Sequence, residues 1–421
     1  MLSERRPRRR WRRCCRPRGS AASMTEWPSV PLAKLVTQHV PDLVTPADDD
    51  IVRFAGVRWY GDGLFVREQR KGSAVKAKCY ALKPGLLVYN RLFAWKQSFA
   101  VVTDEFDGVV VSNEFPQFEV DATQATPEFL ALYCSSPVFA SKALSLSSGS
   151  AAVSRNRLKV ADFLRLEVAC PPLPVQERIL EVISAVDVVI DALLAEAEAA
   201  ETARTALLNE LLQRRDETWT DTPIGKLGTV TRGKRFIKSD YVESGIGCIH
   251  YSQIHTDFGA HTDEVHSWLP EEMRPKLRFA KPDNLVIAGT SENVDGVLKA
   301  VAWLGDEDVA LHDDAYIFEH GLEPRFASYA FASPEFRAQL PAVISNTKVV
   351  RVSKDALKRL TIPVPLPETQ KEIADTMDAI DRQVQATSDE VARAQTVRAA
   401  LLDALLNHKI EVTPAEAGDD S

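Results

Sequence analysis

Cysteine is sparse in this sequence. Six residues (Cys14, Cys15, Cys79, Cys134, Cys170, Cys248) are scattered over 421 positions, with no CxxC pair and no disulfide-like spacing. Zinc ribbons and a disulfide-stapled secreted scaffold are thereby excluded. Long apolar runs are missing as well: none approaches the ~18–20 residues that a bilayer-spanning helix needs. No secretory apolar segment is found either, so the chain reads as a cytoplasmic protein with no membrane attachment. Glycine and proline are absent from 176–212 and from 370–406, which removes the residues that interrupt helices.

What is present is ordinary globular material, 45% hydrophobic and 26% charged, in a chain too long for one core. Two or more domains are expected. The net charge of −8 is unevenly spread. Residues 1–23 hold nine arginines and one acid. That pattern reads as a disordered tail, as sequence upstream of a start at Met24, or as an arm that clamps phosphates. Residues 24–157 balance 14 bases against 14 acids, while 175–217 carry 10 acids to 4 bases. Net charge therefore says little about the surface of the globular parts.

The glycine-free stretches are copies of one another. ALLNELL closes the first (206–212) and ALLDALL closes the second (400–406), 194 residues later. At that offset Gln176, Ile179, Ala185, Asp187 and Arg204 recur as Gln370, Ile373, Ala379, Asp381 and Arg398. Each copy follows a proline cluster, CPPLPVQERI or IPVPLPETQKEI, which should end a strand and admit a helix. Apolar residues fall at Ile179, Ile183, Val186, Ile190, Leu193, Ala197, Ala200, Leu207 and Leu211. Steps of four and three define a coiled-coil seam. The second copy repeats it at Ile373, Met377, Ile380, Val384, Val391, Ala394, Leu401 and Leu405. Two helices of about 38 residues, roughly 57 Å long, are expected to pair antiparallel about a pseudo-twofold axis. Arg204 and Arg398 occupy seam positions. Antiparallel pairing puts Arg204 beside Ile380 and Asp381, and Arg398 beside Val186 and Asp187. Reciprocal ion pairs there would fix the register; in the plainer reading both arginines reach solvent or another protein.

The repeat extends upstream. FLALYCSSPVF (129–139) is similar to FASYAFASPEF (326–336), and KPGLLV (83–88) to KPDNLV (281–286). The order is therefore globule, long helix, globule, long helix. On these elements, the region from about Met24 to His408 resembles the specificity subunits of type I restriction-modification systems. YGDGLFVREQRKGS and YNRLFAWKQSFAVV resemble one type of target-recognition domain. RGKRFIKSDYVESGIGCIHYSQIHT and IAGTSENVDGVLKAVAWLGDEDVALHDDAY resemble another.

The resemblance implies an α+β or α/β fold: two recognition domains, 24–174 and 218–367, joined by spacer helices 175–217 and 368–410, with disordered tails at 1–23 and 411–421. It implies that each domain reads one half of a split target in double-stranded DNA. Two methyltransferase (M) subunits would dock on the helices, and restriction or translocase (R) subunits would then join. DNA repeats every ~34–36 Å, so rigid helices of this length suit readers about one turn apart.

Base edges are read by forked donors and phosphates are held by positive charge. In the first globule Arg67, Gln69, Arg70, Lys71, Lys76 and Lys78 qualify, followed by Tyr89, Asn90, Arg91, Trp95 and Lys96. The second offers Arg232, Lys234, Arg235 and Lys238, then Thr290, Ser291 and Asn293. Any one of them also reads as a solvated charge or strand-end packing. His250, His255, His261 and His266 crowd near Cys248, with His312, Asp313 and Asp314 further on. Their spacings fit no standard zinc signature, so His250 and Tyr251 are read as DNA-facing or packing groups and no metal is expected. GTVTRGKR (228–235) has phosphate-loop spacing, but Arg235 stands where a Ser or Thr should hold Mg²⁺.

Catalytic motifs are missing. No N-P-P-[FYW] or F-x-G-x-G methyltransferase signature, no intact phosphate loop and no persuasive PD-x(n)-[DE]xK nuclease set occurs. The chain is therefore expected to be non-catalytic and to bind no cofactor itself. S-adenosylmethionine, ATP and Mg²⁺ are implied in the partners. The rival class is an interaction scaffold whose recognition domains no longer bind DNA; an autonomous enzyme comes third.

Overall fold

The computed structural model describes residues 27–147, 156–344, 349–407, 409–410 and 412. The expected tails, 1–23 and 411–421, lie outside these residues apart from Val412. Two compact units emerge. One comprises residues 1–190 with 393–421, the other residues 191–392. Each long helix is thus divided between the units instead of forming a segment of its own.

In the first unit, strands Val36–Gln38, Gln117–Val120, Leu87–Tyr89 and Phe99–Val101 form a four-stranded sheet in that order. A second, five-stranded sheet carries the hairpin Ile51–Val57/Leu64–Lys71 at its edge. The second unit repeats the first sheet with Gly228–Arg232, Ala315–His320, Leu285–Ala288 and Ala300–Trp303, extended by His261–Thr262. It adds a four-stranded sheet of different order, built on Ile246–Ile249 and Val309–Leu311. The common sheet explains the KPGLLV/KPDNLV similarity. Both segments turn through a left-handed residue, Gly85 (φ 80) or Asp283 (φ 66). That residue's N–H donates across to the neighbouring strand, at Val102 or Trp303, 2.8 Å in each case. A proline before a residue with positive φ is the signature of a type II turn.

The SP-V/E-F element has an equally local cause. Ser136 and Ser333 accept hydrogen bonds from the N–H groups of Phe139 (3.3 Å) and Phe336 (3.2 Å). Proline follows as the first helical residue in both copies, and the phenylalanine is buried. Serine caps, proline starts and phenylalanine anchors the helix to the core.

The long helices run Leu173–Gln213 and Pro367–Leu406. Each leaves a two-stranded ribbon, Glu167–Ala169 with Ser29–Pro31 and Thr361–Val364 with Thr220–Pro223. In the first unit Ile179 and Ile183 share a core with Leu402, Leu405 and Leu406. In the second, Leu208 and Leu212 share one with Ile373, Ala374 and Met377. The start of one helix therefore packs with the end of the other, an antiparallel pairing. Near the closing phrase the buried stripe shifts by one residue. Leu208 and Leu212 are fully enclosed, while Leu207 and Leu211, the expected seam positions, are only partly covered. Thr387, between Val384 and Val391, is buried, its hydroxyl donating to Gln383 O at 3.1 Å.

Candidate nucleic-acid interface

The edge hairpin of the first unit carries the exposed Arg67, Gln69, Arg70 and Lys71, and Lys76 and Lys78 are exposed just beyond it. Strand alternation puts Gln69 and Lys71 on one face, opposite Arg53 and Ile51 on the partner strand. Arg53 is an exposed addition that the sequence reading missed; the two-residue period of the hairpin is the signal that finds it. Glu68 lies between Arg67 and Arg70, accepting from Arg67 Nη2 at 2.6 Å and from Arg70 Nε at 2.8 Å. Hydrogen bonds from Arg70 and then Arg67 hold its carboxyl below the usual range. Half of this cluster's arginine charge is thus already partnered.

Two residues of the following segment belong to the interior. Tyr89 is fully buried, stacked on Phe99 at 5.2 Å, with its hydroxyl donating to Leu158 O at 3.1 Å. Burial pushes its pKa up. It is core and not a DNA contact, because its strand lies inside the four-stranded sheet. Asn90 is buried too, its Oδ1 accepting from Leu92 N at 3.0 Å to shape the turn. Arg91, Trp95 and Lys96 are half-buried. Trp95 donates to Leu92 O at 3.0 Å, and Lys96 Nζ sits 3.5 Å from the centre of the Trp59 ring.

In the second unit Arg232, Lys234, Arg235 and Lys238 are exposed along the end of one strand and the loop after it. The residues with phosphate-loop spacing begin as a sheet strand, Gly228–Arg232, not as a cradle. Gly233 is required where it stands. An added Cβ would come within 2.1 Å of His312 O and 2.3 Å of Leu311 O, so this loop lies directly on the 311–315 segment. Arg232 is tethered there, its Nε donating to Asp313 O and its Nη2 lying 3.8 Å from Asp314 Oδ1. His312, Asp313 and Asp314 present ligand atoms within 4.8 Å of one another. Arg232 and Arg351 already face these carboxylates, and His312 Nδ1 accepts from Asp314 N at 3.1 Å. The cluster is an ion-pair network.

His250 is half-buried and caps the helix Tyr251–Thr256, its Nδ1 accepting from Ser252 N at 3.3 Å. Burial, and then His312, with its ring 4.2 Å away, push its pKa down to about 4. A neutral imidazole can offer hydrogen bonds to a base edge, but it brings no charge to a phosphate. Tyr251 is half-buried with its ring against His250. Thr290 and Ser291 are buried in a ribbon with Val350–Arg351. They are corrections to the expected contacts: Thr290 Oγ1 donates to Asp314 Oδ1 at 3.4 Å and Ser291 Oγ accepts from Asn293 N at 3.3 Å, so both hydroxyls are engaged within the protein. Asn293, two residues on, is exposed, and its Oδ1 accepts from Gly296 N at 2.8 Å.

Arg204 donates to Asp381 through Nε and Nη2, the latter at 3.2 Å. Arg398 does the same to Asp187, with Nη2 at 2.9 Å. Each is a forked pair inside one unit. The sites are not equivalent, because Asp381 also accepts from Tyr329 OH at 2.8 Å. Tyr329 donates to Asp378 at 2.7 Å, and Asp378 is met by Arg325 at 2.6 Å and His261 at 3.2 Å. Burial raises the Asp378 pKa, but the hydrogen bonds of Tyr329 and Arg325 outweigh it and leave the carboxyl below its ordinary value. Among the positioning residues, sequence reading gave Gln176 and Gln370 no role. Gln176 donates to Gln124 O and Pro171 O, both 2.8 Å, and accepts from Thr126 N at 3.0 Å. Gln370 donates to Pro365 O and accepts from Glu323 N, both at 2.9 Å. Thr126 and Glu323 cap equivalent helices, so each glutamine fastens a globule to its long helix.

Residues 216–393 match the family model of the type I restriction modification DNA specificity domain. The type I restriction enzyme MjaVIII specificity subunit of Methanocaldococcus jannaschii is 22% identical over 271 residues, 59% of this chain. The chain spans 63% of that relative's length. A chain from a solved type I R-M system superposes at a TM-score of 0.59 with 17% identity, over 92% of this chain and 99% of the other. The HsdS subunit of Thermoanaerobacter tengcongensis aligns over 93% and 99% at 17% identity, with a TM-score of 0.42. The fold assignment rests on the former structure. Residues 216–393 thus carry the match to the type I restriction modification DNA specificity domain, and the chain shares the fold of the solved type I R-M chain.

Proposed function

We propose that this chain is the DNA-reading subunit of a type I restriction-modification complex. Each unit contributes one recognition surface for half of an asymmetric, bipartite sequence in double-stranded DNA. Two methyltransferase subunits dock on the long helices, and restriction subunits join them. The chain itself is non-catalytic; S-adenosylmethionine, ATP and Mg²⁺ belong to the partners, and the complex works in the cytoplasm.

The observation that carries this reading is duplication with divergence. The same four-stranded sheet, capped helix pair and glutamine fastening recur on both long helices, which suits two equivalent partners. The exposed basic surfaces differ, a hairpin in one unit and a strand-end loop in the other, which suits two different half-sites. Val188, Val189 and Val397 leave apolar side chains exposed on the helices of the first unit, a surface of the kind that a partner helix covers. One observation favours the scaffold reading: Glu68, Asp313 and Asp314 already pair with candidate arginines.

Single-molecule sequencing of host DNA for methyladenine, with and without the gene, tests the proposal. Loss of methylation at one split motif on deletion is the expected result. No change in any motif, together with normal co-purification of a methyltransferase, would leave the scaffold reading instead.

A further inference from the structure

The hairpin of the first unit turns through WYGDG (59–63), and Tyr60 sits there at φ 61. Gly61 (φ 76) and Gly63 (φ 75) occupy left-handed conformations at no cost. Tyrosine does not, and such strain persists only where the surroundings impose it. Here they do: Gly61 N donates to Gln97 O and Arg58 N to Gly63 O, and Ser135 leaves no room for a Cβ at position 61. The result holds Tyr60 68% exposed at the tip.

Behind it lies an open cavity of about 390 Å³ walled by Trp59, Phe65, Phe93 and Phe115. Phe65 lies against Gly56, where any Cβ would meet the ring at 2.8 Å. Lys96 and Phe93 fix Trp59. Two guanidinium groups stand at the rim. Arg58 lies over Phe65, with Asp62, the rim's acid, 3.7 Å away. Arg67 is the extra residue where the register slips between Phe54 and Ala55, and a bulge of that kind re-aims a side chain. Here Arg67 lines the cavity while remaining on the basic hairpin.

We propose that this cavity takes an unstacked nucleobase of the bound DNA. The base stacks on Tyr60 against the wall of Trp59, and Arg58 and Arg67 hold the flanking phosphates. Aromatic faces accept any base, and cations at their edge match the backbone on either side. A flat ring with an anion on each side is the ligand that suits both features together. The inference rests on the DNA-reading function proposed above.

A base that leaves the helix must give up its pairing, so removing its partner should help. The full chain is titrated with duplexes carrying the methylated motif, each with a single abasic site at one successive position. One position should bind roughly tenfold tighter than the intact duplex, a ratio set by the lost pairing. Tyr60→Gly relieves the left-handed strain and should melt no lower than the wild type, yet bring that ratio to one. Trp59→Ala should act the same way. The absence of any tighter position, or a gain that survives in Tyr60→Gly, overturns the cavity's role while site preference persists. Loss of preference for the motif over unrelated DNA removes the reading beneath it as well.

Discussion

His320 and His250 show how far a single residue departs from its type. Burial pushes both pKa values down to about 4, against about 6.5 in an unfolded chain. A depressed folded pKa means that the unfolded state binds more protons. The stability tied to the neutral ring is therefore complete above about pH 6.5 and is lost as the pH falls toward 4. For His320, whose buried Nε2 has no partner among the described residues, the loss should be on the order of 2 kcal/mol. The melting temperature of His320→Asn should fall less than that of the wild type over this window; parallel curves would refute the account. Lys234 is exposed and carries a different expectation. Lys234→Ala should weaken binding to all sequences alike and reduce the salt slope by about one unit. A selective loss at one base position would make it a reader instead.

At the scale of elements, the helix pair was legible because its information is periodic. Steps of three and four, recurring at a fixed offset, specify a seam whatever surrounds it. Tyr89, Asn90, Thr290 and Ser291 were misplaced because residue type alone does not say which strand lies inside a sheet. Tyr89 and Arg91 are near neighbours in sequence, yet one is core and the other half-buried. Fastenings such as Gln176 were hidden for a related reason: their partners are backbone groups of a distant loop, which leave no mark in the sequence. Replacing Gln176 with Ala should cost about 2–4 kcal/mol by leaving buried backbone groups unpaired, measured as a shift in the denaturant midpoint. The ion pairs allow a finer test. Exchanging Arg398 and Asp187 should restore what either single reversal loses. Exchanging Arg204 and Asp381 should restore only part, since Tyr329 would then lose an acceptor. Equal recovery in both would show that Tyr329 contributes nothing to the second pair.

For the whole molecule, the duplicated sheets, caps and glutamines give the two units one design, whereas the exposed charge is arranged differently in each. If the common part holds partners and the divergent part reads DNA, damage to the divergent surfaces must be separable. Gln69→Ala with Lys71→Ala, on the hairpin, should relax or weaken recognition of one half of the methylated motif. Arg235→Ala with Lys238→Ala, on the strand-end loop, should affect the other half. Each lost base contact should reduce discrimination at its position by about 1–3 kcal/mol, and co-purification of the methyltransferase should remain at wild-type levels. Methyladenine sequencing of hosts carrying each double variant reads both halves at once. If either variant degraded both halves to the same extent, the two surfaces would be acting as one general phosphate clamp, and the assignment of one half-site to each unit would fail.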